Sequence, residues 1–172
     1  RYNEITEKDY LKMVNKKTAS LIQACCETGA ISARAKKPEV NALKNYGFNL
    51  GIAFQVRDDI LDIFGEEKEF GKKIGKDIEE RKLGNIVVFY ALKELSKKEK
   101  RGFLAILRKS KIRNKDIKEA VNLINKTKAK RKSFLFGEKY VKKAKENLKN
   151  LPQNDWNKFL AEISDFVIKR VK

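Results

Sequence analysis

Apolar residues recur at intervals of three or four along nearly the whole chain, a pattern typical of α-helices that bury one face. A first helix is predicted from about Thr6, a candidate N-cap, to about Ala33. A second helix is predicted to begin at Pro38, because proline suits the first helical turn, and to end near Gly65. Two long helices are therefore expected in the first part of the chain.

The rest of the chain is also predicted to be helical. Residues 65–84 are charged and rich in glycine, and they form a predicted loop that is long by ordinary standards. The run from Asn85 to Leu92 contains β-branched residues like a strand, but it continues into a helical pattern and is predicted to be a buried helix. Further helices, with starts at Ser96, Asn114 and Pro152, are predicted at about 97–109, 114–126, 130–150 and 153–171. The expected architecture is one all-α domain over residues 1–172.

Composition supports this expectation and excludes other classes. The chain is 41% hydrophobic and has only two prolines, which favours a packed helical core. No apolar run approaches the roughly 20 residues that a membrane-spanning helix needs, so a cytoplasmic location is the default expectation. Cys25 and Cys26 are adjacent on one helix, where they cannot pair, and are predicted to be reduced core residues.

Positive charge is concentrated in the second half of the chain. Residues 1–92 contain 16 Lys and Arg against 14 Asp and Glu, whereas residues 93–172 contain 25 against 9. Such a block raises the alternative of a basic helical protein that binds nucleic acid. The lysines at 139, 142, 143, 145 and 149 alternate with apolar residues at helical spacing, and no aromatic residues interleave them as a base-stacking surface requires. A solvated helix face is therefore the preferred interpretation, without a nucleic-acid partner.

Three carboxylates interrupt the apolar second helix. Asp58 and Asp62 are four positions apart and share one face, whereas Asp59 is displaced by about 100°. An ionised carboxylate on a half-buried helix is costly unless a cation compensates it. Oxygen ligands of this kind suit Mg²⁺, whose shell a substrate phosphate often completes. The simpler interpretation of the pattern D-D-x-x-D is a solvated helix end.

Glycines occupy the same side of this helix. Gly51 and Gln55 lie on the stripe of Asp58 and Asp62, and Gly47 lies just beside it. Each glycine inside a helix costs about 1 kcal/mol relative to alanine, so a specific role is expected. They make room either for a ligand or for a closely packed neighbour, and the ligand is the preferred interpretation. On that hypothesis a Gly51→Leu change fills a cavity and blocks substrate with little loss of fold.

Several segments resemble one family, the trans-isoprenyl diphosphate synthases. Phe54–Asp62 is similar to its second aspartate-rich motif, F-Q-x-x-D-D-x-x-D, and Lys16–Leu21 to its K-T-A-x-L helix. Gly71–Asp77 is similar to its G-K-x-x-G-x-D loop, and Ala144–Leu148 lies in a segment similar to its closing helices. The resemblance implies a helical bundle of the isoprenoid synthase type, of which this chain is the C-terminal portion. It also implies a trans-prenyltransferase of isoprenoid biosynthesis, which condenses isopentenyl diphosphate with an allylic diphosphate after Mg²⁺-assisted ionisation.

The resemblance assigns the metal site and the catalytic residues. The metal residues are Asp58 as a direct Mg²⁺ ligand, Asp62 as an orienter of metal-bound water, and Asp59 as a supporting residue. The catalytic residues are Lys17, which contacts the diphosphate, and Thr18 and Gln55, whose oxygens stabilise the carbocation.

It also assigns further residues that bind the diphosphate. Lys72, or else Lys73, reaches the leaving group, and Lys82 is a second basic contact. Here Leu83, Gly84 and Asn85 replace the family's common K-T-L-P ending, which is a departure from its pattern.

The segments that match come only from the second half of a family member. The first aspartate-rich motif and the residues that bind isopentenyl diphosphate are not found in the sequence. The expectation is therefore a C-terminal half that is inactive alone, with the missing N-terminal half as partner and a homodimer as the assembly. A non-catalytic subunit related to prenyl synthases and a terpene cyclase of the same fold stay open as alternatives.

Overall fold

The computed structural model describes residues 6–65, 75–82 and 84–171, and within these ranges it contains helices and no strand. The elements in chain order are α1 (Glu7–Val14), a π-helical segment (Asn15–Ala19), α2 (Ser20–Ser32), α3 (Lys37–Phe64), α4 (Lys76–Glu79), α5 (Ile86–Glu94), α6 (Lys97–Leu107), α7 (Asn114–Asn125), α8 (Ala129–Leu148) and α9 (Asp155–Lys169). The predicted all-α class is confirmed. In the described part of the chain, no helix has both the length and the apolar character that crossing a membrane requires.

Helix starts follow the capping chemistry of the sequence in most places. The Thr6 hydroxyl accepts a hydrogen bond from the Asp9 amide at 3.2 Å, and the Asp9 carboxylate accepts one from the Thr6 amide at 3.0 Å. Ser96 and Glu99 form the same reciprocal box at the start of α6. These two predicted starts are confirmed, and so is the end of α3 just before Gly65.

One predicted start is wrong by two residues, and one predicted loop contains a helix. The predicted start at Asn114 is confirmed, since Asn114 is the first residue of α7, and the Asp116 carboxylate accepts the Arg113 amide just before it at 2.8 Å. At α9 the cap is Asn154, which accepts the Asn157 amide at 3.0 Å, so Pro152 lies in the preceding loop. Within the predicted loop 65–84, Lys76–Glu79 forms the short helix α4.

The first long helix is interrupted by a π-helical segment, which the periodicity does not predict. At Asn15–Ala19 the hydrogen bonds lengthen by one residue, and the Ser20 amide donates to the Asn15 carbonyl. The extra residue rotates the later side chains relative to their positions in a regular helix, and the segment carries Lys17 and Thr18. The predicted single helix from Thr6 to Ala33 is therefore present but irregular in its middle.

The chain divides into two compact units, and the boundary on α3 lies between Arg57 and Asp58. The first unit contains the start of α1, the last turns of α3, helices α4 to α7 and the first turns of α8. Helices α4, α5 and α6 each contact α7. The predicted buried helix at 85–92 is confirmed, with Asn85 as its cap, since all of these residues except Tyr90 are buried. The apolar faces that form this core include Ile78, Val87, Phe103, Ile106, Ile117, Ala120 and Ile124.

The second unit contains residues 11–57 and 135–170. Its helices α3 and α9 are joined by the buried Tyr46, whose hydroxyl donates to the Leu160 carbonyl at 2.8 Å. Gly137 of α8 lies against Ile168 of α9 and Val56 of α3, so the three helices approach closely at this point. The predicted solvated lysine face is confirmed for the lysines at 139, 142, 143 and 149, which are exposed, while Val141, Ala144 and Leu148 are buried. Lys145 differs, because it is partly buried and forms an ion pair with Asp165 at 2.8 Å.

The two cysteines differ from their predicted environment. Both are free thiols, but Cys25 is exposed and Cys26 is only partly buried. The prediction of core residues was wrong because the side of α2 that bears Cys25 is open, and Leu21 on the same helix is 69% exposed.

Candidate active site

Asp59 is a buried carboxylate whose hydrogen bonds hold three elements of the first unit together. Its side chain is 2% exposed. One of its oxygens, Oδ2, accepts a hydrogen bond from the Tyr10 hydroxyl at 2.9 Å and another from the Ile86 amide at 2.9 Å. Burial, followed by the charge of Asp59, raises the pKa of Tyr10 well above its usual value, so Tyr10 remains a donor. Asp59 therefore links α1, α3 and the first residue of α5.

Asn85 completes this network from the other side. Its side-chain amide donates to the Asp59 carbonyl at 3.1 Å and to the Asp77 carboxylate at 3.1 Å, and its Oδ1 accepts the Val87 amide at 2.9 Å. It is 1% exposed and caps the N-terminus of α5. A single buried side chain thus fixes the end of α3, the first turn of α4 and the start of α5.

Asp62 faces Asp77 at the same end of α3. The Asp77 amide donates to Asp62 Oδ2 at 3.2 Å, and the Gly75 amide donates to the Asp62 carbonyl at 2.6 Å. Burial, followed by the charge of Asp77, raises the pKa of Asp62 to about 6, which the backbone hydrogen bonds and Lys82 only partly oppose. The folded chain therefore holds two carboxylates whose repulsion a nearby cation would relieve.

Asp58 shares the α3 face of Asp62, one turn earlier, and is partly buried. Within residues 6–65, 75–82 and 84–171, no group of three or more Asp, Glu, Cys or His side chains is arranged to hold a metal ion. Two carboxylates are the number that Mg²⁺ usually takes from a protein when phosphate oxygens and water complete its shell. The pair of Asp58 and Asp62 fits a metal that is shared with an anionic substrate.

The lysines predicted to contact a diphosphate have different positions. Lys82 is exposed, forms an ion pair with Glu80 and lies 3.8 Å from Asp77 Oδ1. The hydrogen bond to Glu80 raises the pKa of Lys82. Lys72 and Lys73 lie outside the described residues. Lys82 is thus next to the acidic end of α3, and the contact of Lys72 or Lys73 with a diphosphate stays a prediction.

The second unit contains Lys17, Thr18 and Gln55. The Thr18 hydroxyl donates to the Gln55 amide oxygen at 2.7 Å, and Gln55 is 4% exposed. Lys17 is exposed on the π-helical segment. The structure thus brings the side chains of Thr18 and Gln55 into direct contact, and their catalytic role stays a prediction.

Gly47 and Gly51 do not border an open space. A Cβ atom on Gly51 would lie 2.6 Å from the Cα of Ala19, and one on Gly47 would lie 2.8 Å from the Ile22 carbonyl oxygen. Both glycines are buried. The prediction that these glycines make room for a ligand was therefore wrong. They allow α3 to pack closely against the π-helical segment and α2.

Sequence reasoning missed Tyr10, Asn85 and the role of Asp77. An asparagine immediately before a β-branched apolar run is an N-cap signal, so the capping role of Asn85 was detectable. No signal of this kind existed for Tyr10, which is 49 positions from its partner Asp59. Such a contact exists only once the chain has folded.

Comparisons with known proteins identify the family. The family model described as polyprenyl synthetase matches residues 1–124. A short chain isoprenyl diphosphate synthase of Methanothermobacter thermautotrophicus is 36% identical over 97% of this chain and 50% of its own length. A geranylgeranyl diphosphate synthase of Saccharolobus solfataricus is 36% identical over 98% of this chain and 51% of its own length.

Solved structures agree with this result. A polyprenyl synthase from Caulobacter crescentus, complexed with calcium and isoprenyl diphosphate, superimposes with a TM-score of 0.92 at 32% identity, over 98% of this chain and 51% of that one. The chain belongs to the polyprenyl synthetase family and has the helical isoprenoid synthase fold. It spans about half the length of the relatives that it matches.

Proposed function

We propose that this chain supplies the second aspartate-rich motif of a chain-elongating trans-prenyltransferase, which joins isopentenyl diphosphate to an allylic diphosphate. The observation that carries the proposal is the end of α3, where partly buried Asp58 and Asp62 share one face and Asp59 is fixed by Tyr10 and Ile86. Membership of the polyprenyl synthetase family supports it. A solvated helix end, the simpler interpretation, does not account for an Asp59 that is 2% exposed.

The proposed metal is Mg²⁺, which Asp58 would bind directly and whose bound water Asp62 would orient. When bound, it neutralises charge on the departing diphosphate. Asp59 acts through position: its hydrogen bonds fix the last turns of α3, and so set where Asp58 and Asp62 lie. The Caulobacter crescentus relative was solved with calcium and isoprenyl diphosphate, which supports a divalent metal beside a diphosphate.

The proposed diphosphate contacts are lysines. The ammonium group of Lys82 lies beside the carboxylates of Asp77 and Glu80. A diphosphate carries more negative charge than either carboxylate and would attract this ammonium group. Lys17 is exposed on the π-helical segment, which leaves it available to an anion. Lys72 is proposed ahead of Lys73 for the glycine loop on the family pattern alone.

The Thr18–Gln55 pair is proposed to stabilise the allylic carbocation by its dipoles. Thr18 donates its proton to the Gln55 oxygen, so the lone pairs of the threonine oxygen are turned away from Gln55 and remain able to face positive charge. The hydrogen bond holds both groups in one orientation, as catalysis by fixed dipoles requires. Neither residue needs to transfer a proton in this role.

Catalysis in this proposal requires a further half of the enzyme. The carboxylates present neutralise a diphosphate from one side, whereas the transition state needs charge stabilisation from several sides and a bound acceptor. The first aspartate-rich motif is proposed to come from an N-terminal half, in the same polypeptide or as a separate chain. On the family resemblance alone we also propose a homodimer that acts in the cytoplasm.

A regulatory subunit is the second candidate function. A heptaprenyl diphosphate synthase component 2 of Geobacillus stearothermophilus is 32% identical over 94% of this chain and 49% of its own length, and the word component in its name denotes one part of an enzyme. A chain of this kind would act only when paired with another. The two candidates differ in whether the carboxylates of this chain are needed for turnover.

The test is transfer of labelled isopentenyl diphosphate to an allylic diphosphate in the presence of Mg²⁺. We expect no product from the 172 residues alone, product when the N-terminal half of the enzyme is supplied covalently or in trans, and loss of that product on Asp58→Ala. A complex that assembles and gives no product contradicts the enzyme assignment. Full turnover by the Asp58→Ala complex contradicts the catalytic role and supports the regulatory subunit.

A further inference from the structure

The connection between α6 and α7 is a strongly basic short segment of the first unit. Five of the eight residues from 108 to 115 are Lys or Arg, and none of the eight is acidic. The next residue, Asp116, is the first carboxylate after this stretch. In the part of the first unit that the structure describes, the side chains of Lys111, Arg113 and Lys115 have no ion-pair partner. None of them belongs to the proposed catalytic machinery.

These residues surround a surface cavity of about 330 Å³. Its lining consists of Lys109, Ser110, Lys111, Arg113, Lys115 and Asp116. The one carboxylate among them is already neutralised, because Asp116 bonds to the Lys109 ammonium at 2.6 Å and is 3% exposed. Those bonds hold the pKa of Asp116 below its usual value. The remaining lining is cationic, and an anion entering the cavity would not face an uncompensated negative charge.

The loop that forms one wall is held by Arg81. The Arg81 guanidinium donates to the carbonyl oxygens of Leu107 at 3.2 Å, Lys109 at 2.6 Å and Ser110 at 2.9 Å. Arg81 has a φ of 56°, a left-handed conformation that costs a non-glycine residue about 1–2 kcal/mol. Three hydrogen bonds to a charged group offset such a cost. The loop is therefore fixed before any ligand arrives.

The hydrogen bonds from Arg81, here called the Arg81 clamp, also determine where the amides of the loop between α6 and α7 point. In a trans peptide group the C=O and N–H bonds point in opposite directions. Because the Lys109 and Ser110 carbonyls face Arg81, the amide groups of Ser110 and Lys111 face away from it. Ser110 and Lys111 line the cavity and Arg81 does not. Neither amide has a hydrogen-bond acceptor in the described part of the chain, so two successive donors are left for a ligand.

We propose that this cavity binds a phosphate or diphosphate group, with the Ser110 and Lys111 amides and the side chains of Lys111, Arg113 and Lys115 as donors. Successive backbone amides flanked by cations match the three-oxygen face of a terminal phosphate. The lining contains no aromatic residue on which a nucleic-acid base would stack. The group belongs either to a small phosphate or to a lipid head-group, and both present the same oxygens.

The first test is titration of the 172-residue chain with inorganic pyrophosphate in metal-free buffer, followed by amide NMR. We expect the largest shifts at the amides of Ser110 and Lys111. The double variant Lys111→Gln/Lys115→Gln should bind roughly tenfold more weakly, since two charge-assisted contacts are lost. The matched control Lys97→Gln/Lys98→Gln removes the same charge from exposed positions of α6 outside the cavity, and should change affinity less than about twofold.

A second test separates the source of the phosphate and the role of the clamp. Vesicles of phosphatidylcholine with phosphatidic acid replace pyrophosphate, and a loss of vesicle binding confined to the Lys111/Lys115 variant identifies a lipid head-group as the ligand. Arg81→Met keeps every cation of the cavity, and we expect it to weaken binding and to speed amide hydrogen exchange at 109–111. Equal losses in the cavity and control variants, or no binding of either probe, would overturn the proposal.

Discussion

Helix α3 contains two stretches with residues that are unusual in a buried helix: glycines at 47 and 51, and carboxylates at 58, 59 and 62. From the sequence both stretches suggested a ligand site. In the structure the glycines are in contact with protein backbone, whereas Asp58 and Asp62 are only partly buried and Asp59 is fixed by hydrogen bonds. The comparison teaches that a glycine and a carboxylate in a buried helix give different information. A glycine indicates only that another group packs closely against the helix, whereas a carboxylate also indicates that this group is a cation or a hydrogen-bond donor.

The largest effect is expected within the carboxylate stretch. Asp59→Ala leaves the Tyr10 hydroxyl and the Ile86 amide without their acceptor in a buried place, and should cost about 3 kcal/mol of unfolding free energy. Asp58→Ala, a matched change on the partly buried neighbour, should cost about 1 kcal/mol or less. Urea unfolding followed by circular dichroism measures both.

The order should reverse when turnover is measured in the reconstituted enzyme. Asp58→Ala removes a proposed metal ligand, whereas Asp59→Ala leaves both proposed ligands in the chain. We expect Asp58→Ala to lose more activity per folded molecule. Equal losses of turnover, after correction for the folded fraction, would contradict the separate roles assigned to the two carboxylates.

The glycine stretch predicts a smaller effect on stability. Gly51→Ala places a Cβ 2.6 Å from the Cα of Ala19, and the resulting overpacking should cost about 2 kcal/mol despite the better helix propensity of alanine. Gly51→Leu should not fold, contrary to the expectation from sequence. Gly29→Ala is the matched control on α2, where nothing lies within 4 Å of the added atom, and it should stabilise the chain by about 0.5–1 kcal/mol. A harmless Gly51→Ala would show that α3 does not need this contact.

Asp62 is expected to make the unfolding free energy depend on pH, by an amount similar to or smaller than the effect of Gly51→Ala. Its pKa is about 6 in the folded chain, above its unfolded value, so the folded state binds more protons and stability falls as pH rises between about 4 and 6. In metal-free buffer Asp62→Asn should remove this slope and be the more stable form at pH 7, by about 1 kcal/mol after screening. Thermal unfolding across that pH range measures it, and parallel curves for the two proteins would contradict the raised pKa that burial and the charge of Asp77 give Asp62.

The smallest effect is expected at the Thr18–Gln55 pair. Thr18→Val keeps the shape of the side chain and removes one hydrogen bond of 2.7 Å, which should cost about 1 kcal/mol, while Thr18→Ser keeps the hydroxyl and should cost less. Turnover of the reconstituted enzyme should fall with Thr18→Val and be retained with Thr18→Ser. If both variants kept full turnover, the proposed carbocation contact would be wrong.

The sequence by itself determined the helical class, the buried α5, the capped starts at Thr6 and Ser96, the lysine face of α8 and the family. These features depend on residues that are close in sequence, or on motifs whose order is visible in the chain. The carboxylate pair of Asp58 and Asp62 was equally visible, because four positions along a helix are one turn.

Only the tertiary structure decided which buried groups meet. The contacts of Asp59 with Tyr10, of Gly51 with Ala19 and of Arg81 with Ser110 join residues 49, 32 and 29 positions apart. The π-helical segment is a further case, since one extra residue in a turn leaves the apolar pattern almost unchanged but alters the direction of each later side chain. Local propensity is a sum over neighbours in sequence, whereas hydrogen bonds and close packing depend on neighbours in space, and folding alone brings those together.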